Sequence, residues 1–239
     1  MSAERRDLLR VRGLTRTYET GKGIHSVTFS LREGRLVALV GPNGAGKTTL
    51  LDALAAQAGF TKGQVALKGV DPSQGALYKS LLAYLPEQRG FPPYLSPRIT
   101  AYLAESFWRQ NGLAQRFYRE AAELALDHES LDIPISMISQ GNREKLALAL
   151  VFSREAELYI LDEPEAHLDP IIRERLESRI SRLRADGKSV LLATHDVYMA
   201  VRLADEILAI QNGHLRILGE AQNASEVLTA LRAMEVQGD

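Results

Sequence analysis

Residues 41–49 read Gly41-Pro42-Asn43-Gly44-Ala45-Gly46-Lys47-Thr48-Thr49. An apolar run, Leu36–Val40, precedes this stretch, and a helical pattern starts near Lys47. The pattern G-x-x-x-x-G-K-[ST] between a strand and a helix is typical of a phosphate-binding loop. Its glycines let the chain turn tightly, so that backbone amides and the helix N-terminus can surround phosphate oxygens. The stretch therefore predicts a strand–loop–helix unit that cradles β- and γ-phosphates.

The two residues that open the helix support this prediction. Lys47 supplies a full positive charge, and the Thr48 hydroxyl is a hard oxygen ligand suited to Mg²⁺. A glycine-rich turn without a ligand would not require lysine followed by threonine at this point. The motif alone leaves the class of protein open, because kinases, GTPases and motor ATPases share it.

Short apolar runs of strand type recur along the chain, and helical patterns separate most of them. This alternation predicts an α/β fold with a largely parallel sheet. The runs comprise residues 8–11, 36–40, 65–67, 158–161 and 190–193.

Between residues 99 and 127 the pattern is helical only, which we interpret as an inserted helical subdomain. Residues 90–97 contain three prolines and predict a stiff connector into it. Near the end, Asn212-Gly213 between two apolar runs predicts a tight hairpin, and residues 224–234 predict a final helix. We expect one domain, 1–239, with a nucleotide-binding core (1–87 and 152–239) and a helical subdomain (about 88–151).

Composition restricts the partners of this chain. Its 239 residues, 45% of them hydrophobic, are enough to bury a substantial core. Lys and Arg number 29 against 30 Asp and Glu, so no basic excess favours nucleic acid. The absence of cysteine excludes disulfides and a thiol nucleophile and fits a reducing cytoplasm. No apolar run approaches the roughly 20 residues of a membrane-spanning helix, and the N-terminus is not of signal-peptide type. We expect any membrane role to come through a partner.

The run at residues 158–161 ends in two carboxylates, Asp162 and Glu163. A buried strand could deliver Asp162 to a magnesium ion and Glu163 to an attacking water. An exposed strand end with ordinary acidic residues would have the same letters. The phosphate loop upstream favours the functional interpretation.

Ile138-Ser139-Gln140-Gly141-Asn142, followed by a helical run over residues 143–151, narrows the class of protein. On its own Ser139 would be a simple helix N-cap. The order of phosphate loop, residues 138–142, Asp162-Glu163 and His195 resembles that of the ATP-binding-cassette (ABC) ATPases, over residues 8–219. Their signature loop has the form Leu-Ser-Gly-Gly-Gln at a helix N-terminus that faces the γ-phosphate held by the partner subunit.

The resemblance implies a P-loop NTPase core with a largely parallel sheet, an N-terminal antiparallel β part and an inserted helical subdomain, with ATP and Mg²⁺ as cofactors. It implies that Glu163 and His195 are catalytic. Tyr18 matches the aromatic residue that stacks on adenine, although an exposed loop tyrosine remains the alternative. The implied metal ligands are Thr48, Gln88 and Asp162. The implied nucleotide contacts are Tyr18, Gly41, Pro42, Asn43, Gly44, Ala45, Gly46, Lys47, Thr48, Thr49, Glu87, Gln88, Ser139, Gly141, Asn142 and Asp169, the last in the D-loop position.

The chain departs from the family pattern in three places. The glutamine expected after Pro86 is Glu87, as in some exporter-type subunits, and Gln88 could serve with a one-residue shift. A carboxylate can also ligate Mg²⁺, so both residues stay candidates. In the signature, Gln140 and Asn142 replace a glycine and a glutamine. Residues 165 and 167 are glutamate and histidine where the family has small residues, with a consequence that the sequence leaves open.

The resemblance implies ATP hydrolysis coupled to transport. Because the signature serves the other subunit's nucleotide, we expect a head-to-tail homodimer or pseudo-dimer around two ATP molecules. An integral membrane permease subunit would dock on the helical insert and the connector, and would hold the chain at the cytoplasmic, inner face of the cell membrane. No nucleic acid is expected.

The alternative is a soluble mechanical ATPase of the same superfamily that acts on ribosomes or DNA. The interval from Lys47 to Ser139 lacks the long coiled-coil insertions of DNA-acting members, and ribosome-acting members typically join two cassettes in one chain. A P-loop kinase would have no use for the signature loop or for His195.

Overall fold

The computed structural model describes residues 7–220 and 223–236. The strands are β1 (Asp7–Thr17), β2 (Gly23–Arg32), β3 (Leu36–Val40), β4 (Lys62–Leu67), β5 (Leu82–Leu85), β6 (Leu158–Asp162), β7 (Ser189–Thr194), β8 (Glu206–Gln211) and β9 (His214–Gly219). The α-helices are α1 (Lys47–Leu54), α2 (Ala76–Ser80), α3 (Pro97–Trp108), α4 (Leu113–Glu123), α5 (Gln140–Ser153), α6 (Pro170–Ala185), α7 (Val197–Leu203) and α8 (Ala224–Val236). Residues 1–6, on which the expectation about a signal peptide rested, lie outside the described residues.

A sheet of strand order β5-β6-β7-β3-β8-β9 forms the centre of the molecule. Its neighbours pair in parallel, except β8 and β9, which form an antiparallel hairpin. Strands β3, β6 and β7 are buried along their whole length, as both-sided coverage of a parallel sheet requires. The predicted largely parallel sheet is confirmed. The register pairs Val40 with Thr194 and Asp162 with Ala193, so these three strands end side by side at one edge.

A second, antiparallel sheet of order β2-β1-β4 covers one face of the centre, as the resemblance implied. Its apolar side chains share one core with those of α1 and β3. The sequence analysis missed β2, because only every second residue, such as Val27, Phe29 and Leu31, is buried. In a strand with one face exposed to solvent, apolar and polar residues alternate, so the strand has no continuous apolar run.

Helices α3 to α6 cover the other face of the central sheet, around the fully buried ring of Phe117. The helix-only pattern over residues 99–127 is confirmed by α3 and α4. Helix α3 starts at a capped end, where Ser96 Oγ accepts a hydrogen bond from the Ile99 amide (3.3 Å) and Pro97 occupies the first helical position. Residues 86–96 before it form neither helix nor strand, so the connector predicted over residues 90–97 is irregular up to residue 96, and Pro97 already belongs to α3. The limits of the helical subdomain stay a prediction.

The predicted hairpin is confirmed at Asn212 and Gly213, whose φ angles of 49° and 76° suit a two-residue turn. Helix α8 follows and packs beside β8 and α7. Over residues 7–220 and 223–236, no helix has the length and apolar character needed to cross a bilayer.

Candidate nucleotide site

The loop of residues 41–46 leaves the buried end of β3 and enters α1. Gly44 and Gly46 have φ angles of 80° and 108°, which glycine adopts without steric cost. A Cβ atom on Gly41 would lie 2.3 Å from the carbonyl oxygen of Ile210, so a larger residue does not fit there. No described side chain caps α1, whose first residue is Lys47. The first amide groups of that helix are therefore available to an anion.

Lys47 lies buried at the centre of this loop. Its Nζ donates to the carbonyl oxygens of Gly41 (2.9 Å) and Pro42 (3.3 Å) and lies 3.2 Å from Glu163 Oε1. These contacts hold the ammonium group between the loop and the end of β6. A positive charge is thus fixed where phosphate oxygens would meet the carboxylates of Asp162 and Glu163.

Asp162 ends β6 with a fully buried carboxylate whose two oxygens have no hydrogen-bond partner among the described residues. Burial raises the pKa of Asp162 to about 7. The negative charges of Glu87 and Glu163 also raise this pKa, whereas the nearby Thr48 hydroxyl and the positive charge of Lys47 lower it. Such a carboxylate is costly to keep charged without a cation. Its unpartnered oxygens fit a hard divalent ion such as Mg²⁺.

The structure brings Glu87 and not Gln88 to the site. The Thr48 hydroxyl donates to Glu87 Oε2 at 3.1 Å, and Glu87 lines the cleft. Both residues are exposed, and Gln88 does not line the cleft. Residues 87 and 88 lie in a bend after β5, and it is Glu87 that this bend turns toward Thr48. This geometry goes against Gln88 as a magnesium ligand.

Glu163 follows in a left-handed conformation, with φ at 46° and 7% of its surface exposed. Its Oε2 lies 2.6 Å from Nδ1 of His195, and its amide donates to the carbonyl oxygen of Ala193 (2.9 Å). The end of β7 thereby orients the carboxylate that follows β6. Glu163 and His195, the two expected catalytic residues, are in direct contact.

Two further residues belong to this cluster. Glu165 is buried and its carboxylate accepts a hydrogen bond from the Thr194 hydroxyl, while burial raises its pKa. Arg89 is a residue that the sequence analysis missed: its Nη2 donates to the backbone carbonyl of Glu163 (3.1 Å), and its guanidinium forms an ion pair with Glu144 of α5. The sequence feature that could have indicated Arg89 is its position, since it is a charged residue directly after Glu87 and Gln88.

The signature residues lie apart from the cleft of this chain. Ser139 is the N-cap of α5, and its Oγ accepts a hydrogen bond from the Asn142 amide (3.2 Å). The side chain of Asn142 points inward, where Nδ2 donates to Asp127 Oδ2 (2.8 Å) and Ser130 Oγ (3.0 Å). The amide group of Asn142 is thus held inside the helical region of this chain, and its contact with a nucleotide stays a prediction. Gly141 lies in the first turn of α5.

The cleft itself has a volume of about 460 Å³. Tyr18 stands at its rim, 45% exposed, with the guanidinium of Arg16 at 5.1 Å from the ring centroid. Its stacking on adenine stays a prediction. The lining residues are Tyr18, Thr20, Lys22, Gly23, Asn43, Gly44, Gly46, Lys47, Thr48, Thr49, Glu87 and Glu163. Ala45 is buried beneath the loop.

Asp169 lies outside the cleft, at the start of α6. Its Oδ1 accepts hydrogen bonds from the amides of Ile171 and Ile172, both at 3.0 Å. The side chain therefore caps a helix in this chain. Asp169 could therefore contact a nucleotide only if that nucleotide were bound by a second subunit.

Comparison with known proteins places this geometry in a family. The family model described as ABC transporter matches residues 24–166. The SkfA peptide export ATP-binding protein SkfE of Bacillus subtilis is 31% identical over 215 residues, which are 87% of this chain and 87% of that protein. The Nod factor export ATP-binding protein I of Ralstonia nicotianae is 30% identical over 237 residues, 97% of this chain and 73% of that protein.

Solved structures have the same fold. An ATP-binding subunit of an ABC transporter superposes with a TM-score of 0.81 at 28% identity and covers 94% of each chain. A dimeric ATP-binding cassette in a post-hydrolysis state, bound to ADP and Pi, gives a TM-score of 0.81 at 20% identity, over 89% of this chain and 99% of that one. The second likeness concerns the fold alone. The expected P-loop fold with its two sheets and helical insert is confirmed.

Proposed function

This chain belongs to the ABC transporter family as an ATP-binding, ATP-hydrolysing subunit, and we propose that it powers a separate membrane subunit by closing and opening as a dimer. One observation carries the catalytic part: Lys47, Asp162 and Glu163 converge at neighbouring strand ends. A cation for phosphate, a carboxylate for a metal and a carboxylate for water thereby share one site. The ribosome- or DNA-acting alternative gains no support, because the relatives named above are transport ATP-binding proteins.

The residues at the strand ends suit a magnesium ion bound with ATP. Asp162 offers buried oxygens without partners, and Thr48 and Glu87 offer a hydroxyl and a second carboxylate beside them. We therefore give Glu87 the role that the sequence analysis left open between it and Gln88. When bound, the ion offsets the charge of the β- and γ-phosphate oxygens.

Glu163 is the group that we propose takes the proton of the attacking water. Its carboxylate is buried, oriented by His195 and held near Lys47, so it faces the place where the γ-phosphate would lie. Water attacks the γ-phosphorus in line, the bond to the β–γ bridging oxygen breaks, and ADP and phosphate result. Lys47 and His195 would stabilise the charge that develops on the phosphate oxygens.

A second subunit would complete the site. Ser139 and Gly141 stand at the N-terminus of α5 and are absent from the lining of this chain's cleft. A head-to-tail pair would place Ser139 of the partner subunit over the γ-phosphate, and Asp169 near the contact between the two sites. We propose that ATP holds this pair closed and that loss of the γ-phosphate opens it.

The membrane subunit is proposed to dock on the connector and α3. A groove of about 230 Å³ lies there, lined by Phe91, Ala104, Trp108 and Leu150 among others. Tyr94 and Phe107 beside it are each 76% exposed. Exposed aromatic side chains next to an apolar groove are typical of protein–protein contacts. Docking there would hold the chain at the inner face of the membrane, and no nucleic acid enters this proposal.

Export is the direction of transport that we propose. It rests on the two export relatives described above and on Glu87, a residue found at this position in some exporter-type subunits. The chemistry of the cargo would be chosen by the membrane subunit.

The catalytic proposal is tested by Glu163→Gln, with the exposed Glu174→Gln as the matched control. We expect Glu163→Gln to bind ATP while its kcat falls by about 100-fold or more, because a general base typically contributes 10²–10⁴. With ATP and Mg²⁺, the same variant should elute as a dimer in size-exclusion chromatography. A kcat equal to that of Glu174→Gln would show that Glu163 is not the base.

The membrane role is tested by affinity capture from gently solubilised membranes of the source cells, with Glu163→Gln, ATP and Mg²⁺ to trap the assembled state. Recovery of a polytopic membrane protein would support the transport proposal. Recovery of ribosomal proteins or DNA instead would refute it and leave a soluble ATPase.

A further inference from the structure

Arg89 joins three elements of the site without lining the cleft. It lies in the irregular stretch of residues 86–96 that follows β5, its guanidinium pairs with Glu144 of α5, and Nη2 donates to the backbone carbonyl of Glu163 at 3.1 Å. Its side chain is 7% exposed. On the basis of the proposed function, we infer that Arg89 is a positioning residue that holds the peptide of Glu163 so that its carboxylate faces the attacking water.

The backbone of Glu163 needs such support. A φ angle of 46° lies in the left-handed region, which is unfavourable for a residue with a side chain and persists where neighbours hold it. The Glu163 amide donates to the carbonyl of Ala193 (2.9 Å), and the Glu163 carbonyl accepts from Arg89 Nη2 (3.1 Å) and from the Ala166 amide (3.2 Å). Loss of the Arg89 contact leaves only the longer bond from Ala166, a close neighbour in the same turn, and so loosens the peptide that follows Glu163. Because the side chain moves with the backbone, the carboxylate would leave His195 and Lys47.

Arginine is suited to this position because its planar guanidinium donates in two directions at once. One nitrogen serves the Glu144 carboxylate, and another serves the Glu163 carbonyl. Burial lowers the pKa of Arg89 to about 10, so the group remains charged at neutral pH. Lysine would keep the charge but concentrates its donors on one ammonium nitrogen, which would have to choose between the two acceptors.

Arg179 offers a matched control away from the site. It too is a largely buried arginine that pairs with a glutamate of a neighbouring helix, Glu120, and its Nη2 also reaches a backbone carbonyl, that of Phe152 (3.4 Å). Neither of these partners belongs to the nucleotide site. Arg179→Gln therefore reports what the loss of a partly buried arginine pair does to the fold alone.

The experiment compares the full chain with Arg89→Gln, Arg89→Lys and Arg179→Gln in kcat, KM for ATP and thermal unfolding. We expect both Arg89 variants to lose about tenfold or more in kcat while KM stays within about twofold, because Arg89 acts on Glu163 and touches no lining residue of the phosphate loop. Arg179→Gln should unfold at a lower temperature and keep a kcat within about twofold of the wild type.

A second variant tests the link to α5. Glu144→Gln should also lower kcat, and the double variant Arg89→Gln with Glu144→Gln should be no slower than Arg89→Gln alone, because both changes break one chain of contacts. Fully additive losses in kcat would contradict this link.

Wild-type kcat in both Arg89 variants would refute the inference and leave the proposed function intact. Equal losses of kcat in the Arg89 and Arg179 variants would refute it too, because they would indicate a general effect on the fold. An inactive wild-type chain would refute the proposed function together with the inference, and is thus distinguishable from the other two results.

Discussion

Replacing Asn142 with alanine tests whether this signature residue serves the fold or the nucleotide. Its side chain is 7% exposed and donates to Asp127 Oδ2 and Ser130 Oγ. Each such hydrogen bond contributes about 1 kcal/mol net, and Ser130, itself buried, would lose a partner. Because Asp127 is exposed, its bond is screened by water. We expect the free energy of unfolding to fall by about 1–3 kcal/mol.

The assay is urea unfolding followed by the fluorescence of Trp108, with Gln140→Ala as the control. Gln140 is an exposed residue in the same first turn, so its loss should change the free energy of unfolding by less than about 0.5 kcal/mol. At a temperature where both variants are folded, the Kd for ATP of Asn142→Ala should stay within about twofold of the wild type.

The opposite pattern would refute this reasoning. If Asn142→Ala were as stable as Gln140→Ala but assembled tenfold less readily with ATP and Mg²⁺, the amide would face a nucleotide, as the signature pattern implies. The inward hydrogen bonds would then not describe the working state.

Three further changes test the site and the core. Tyr18→Ala should raise the Kd for ATP about two- to tenfold, which corresponds to about 0.5–1.5 kcal/mol of stacking. Tyr198 is an exposed tyrosine outside the cleft, so Tyr198→Ala should leave the Kd unchanged. Equal Kd values for the two variants would show that Tyr18 does not contact ATP. Gly41→Ala should lower the thermal midpoint and weaken ATP binding, because its Cβ would overlap the carbonyl of Ile210, and an unchanged midpoint would contradict this. Phe117→Ala should cost about 3–5 kcal/mol in urea unfolding, since the ring is fully buried, and a cost below about 1 kcal/mol would contradict the packing.

The fold was predictable where one local pattern decides it. Residues 36–40, 158–161 and 190–193 are continuous apolar runs, and they are central strands because a parallel sheet is covered on both faces. The hairpin at Asn212-Gly213 was predictable because few residue pairs accept two positive φ angles. Strand β2 was not, because its wet face interrupts the apolar pattern.

The site was predictable in part. Lys47 and Thr48 follow from a motif whose spacing sets their geometry, and Asp162 follows from its place at the end of a buried strand. Glu87 and Gln88 could not be separated by sequence reasoning, since the direction of each side chain depends on how the connector leaves β5. Their roles at a nucleotide stay predictions.

By itself, the sequence determined the strand–loop–helix unit around Lys47 and the alternation of strands and helices, because these depend on residues close together in the chain. It also determined the family, through the order of separate local motifs along the chain. Only the tertiary structure decided that Asn142 is held inward, that Glu87 meets Thr48 and that Arg89 reaches the Glu163 carbonyl. Each of these contacts joins segments far apart in sequence. Their geometry is set by the packing of α5 and the connector against the ends of the strands, which no local pattern records.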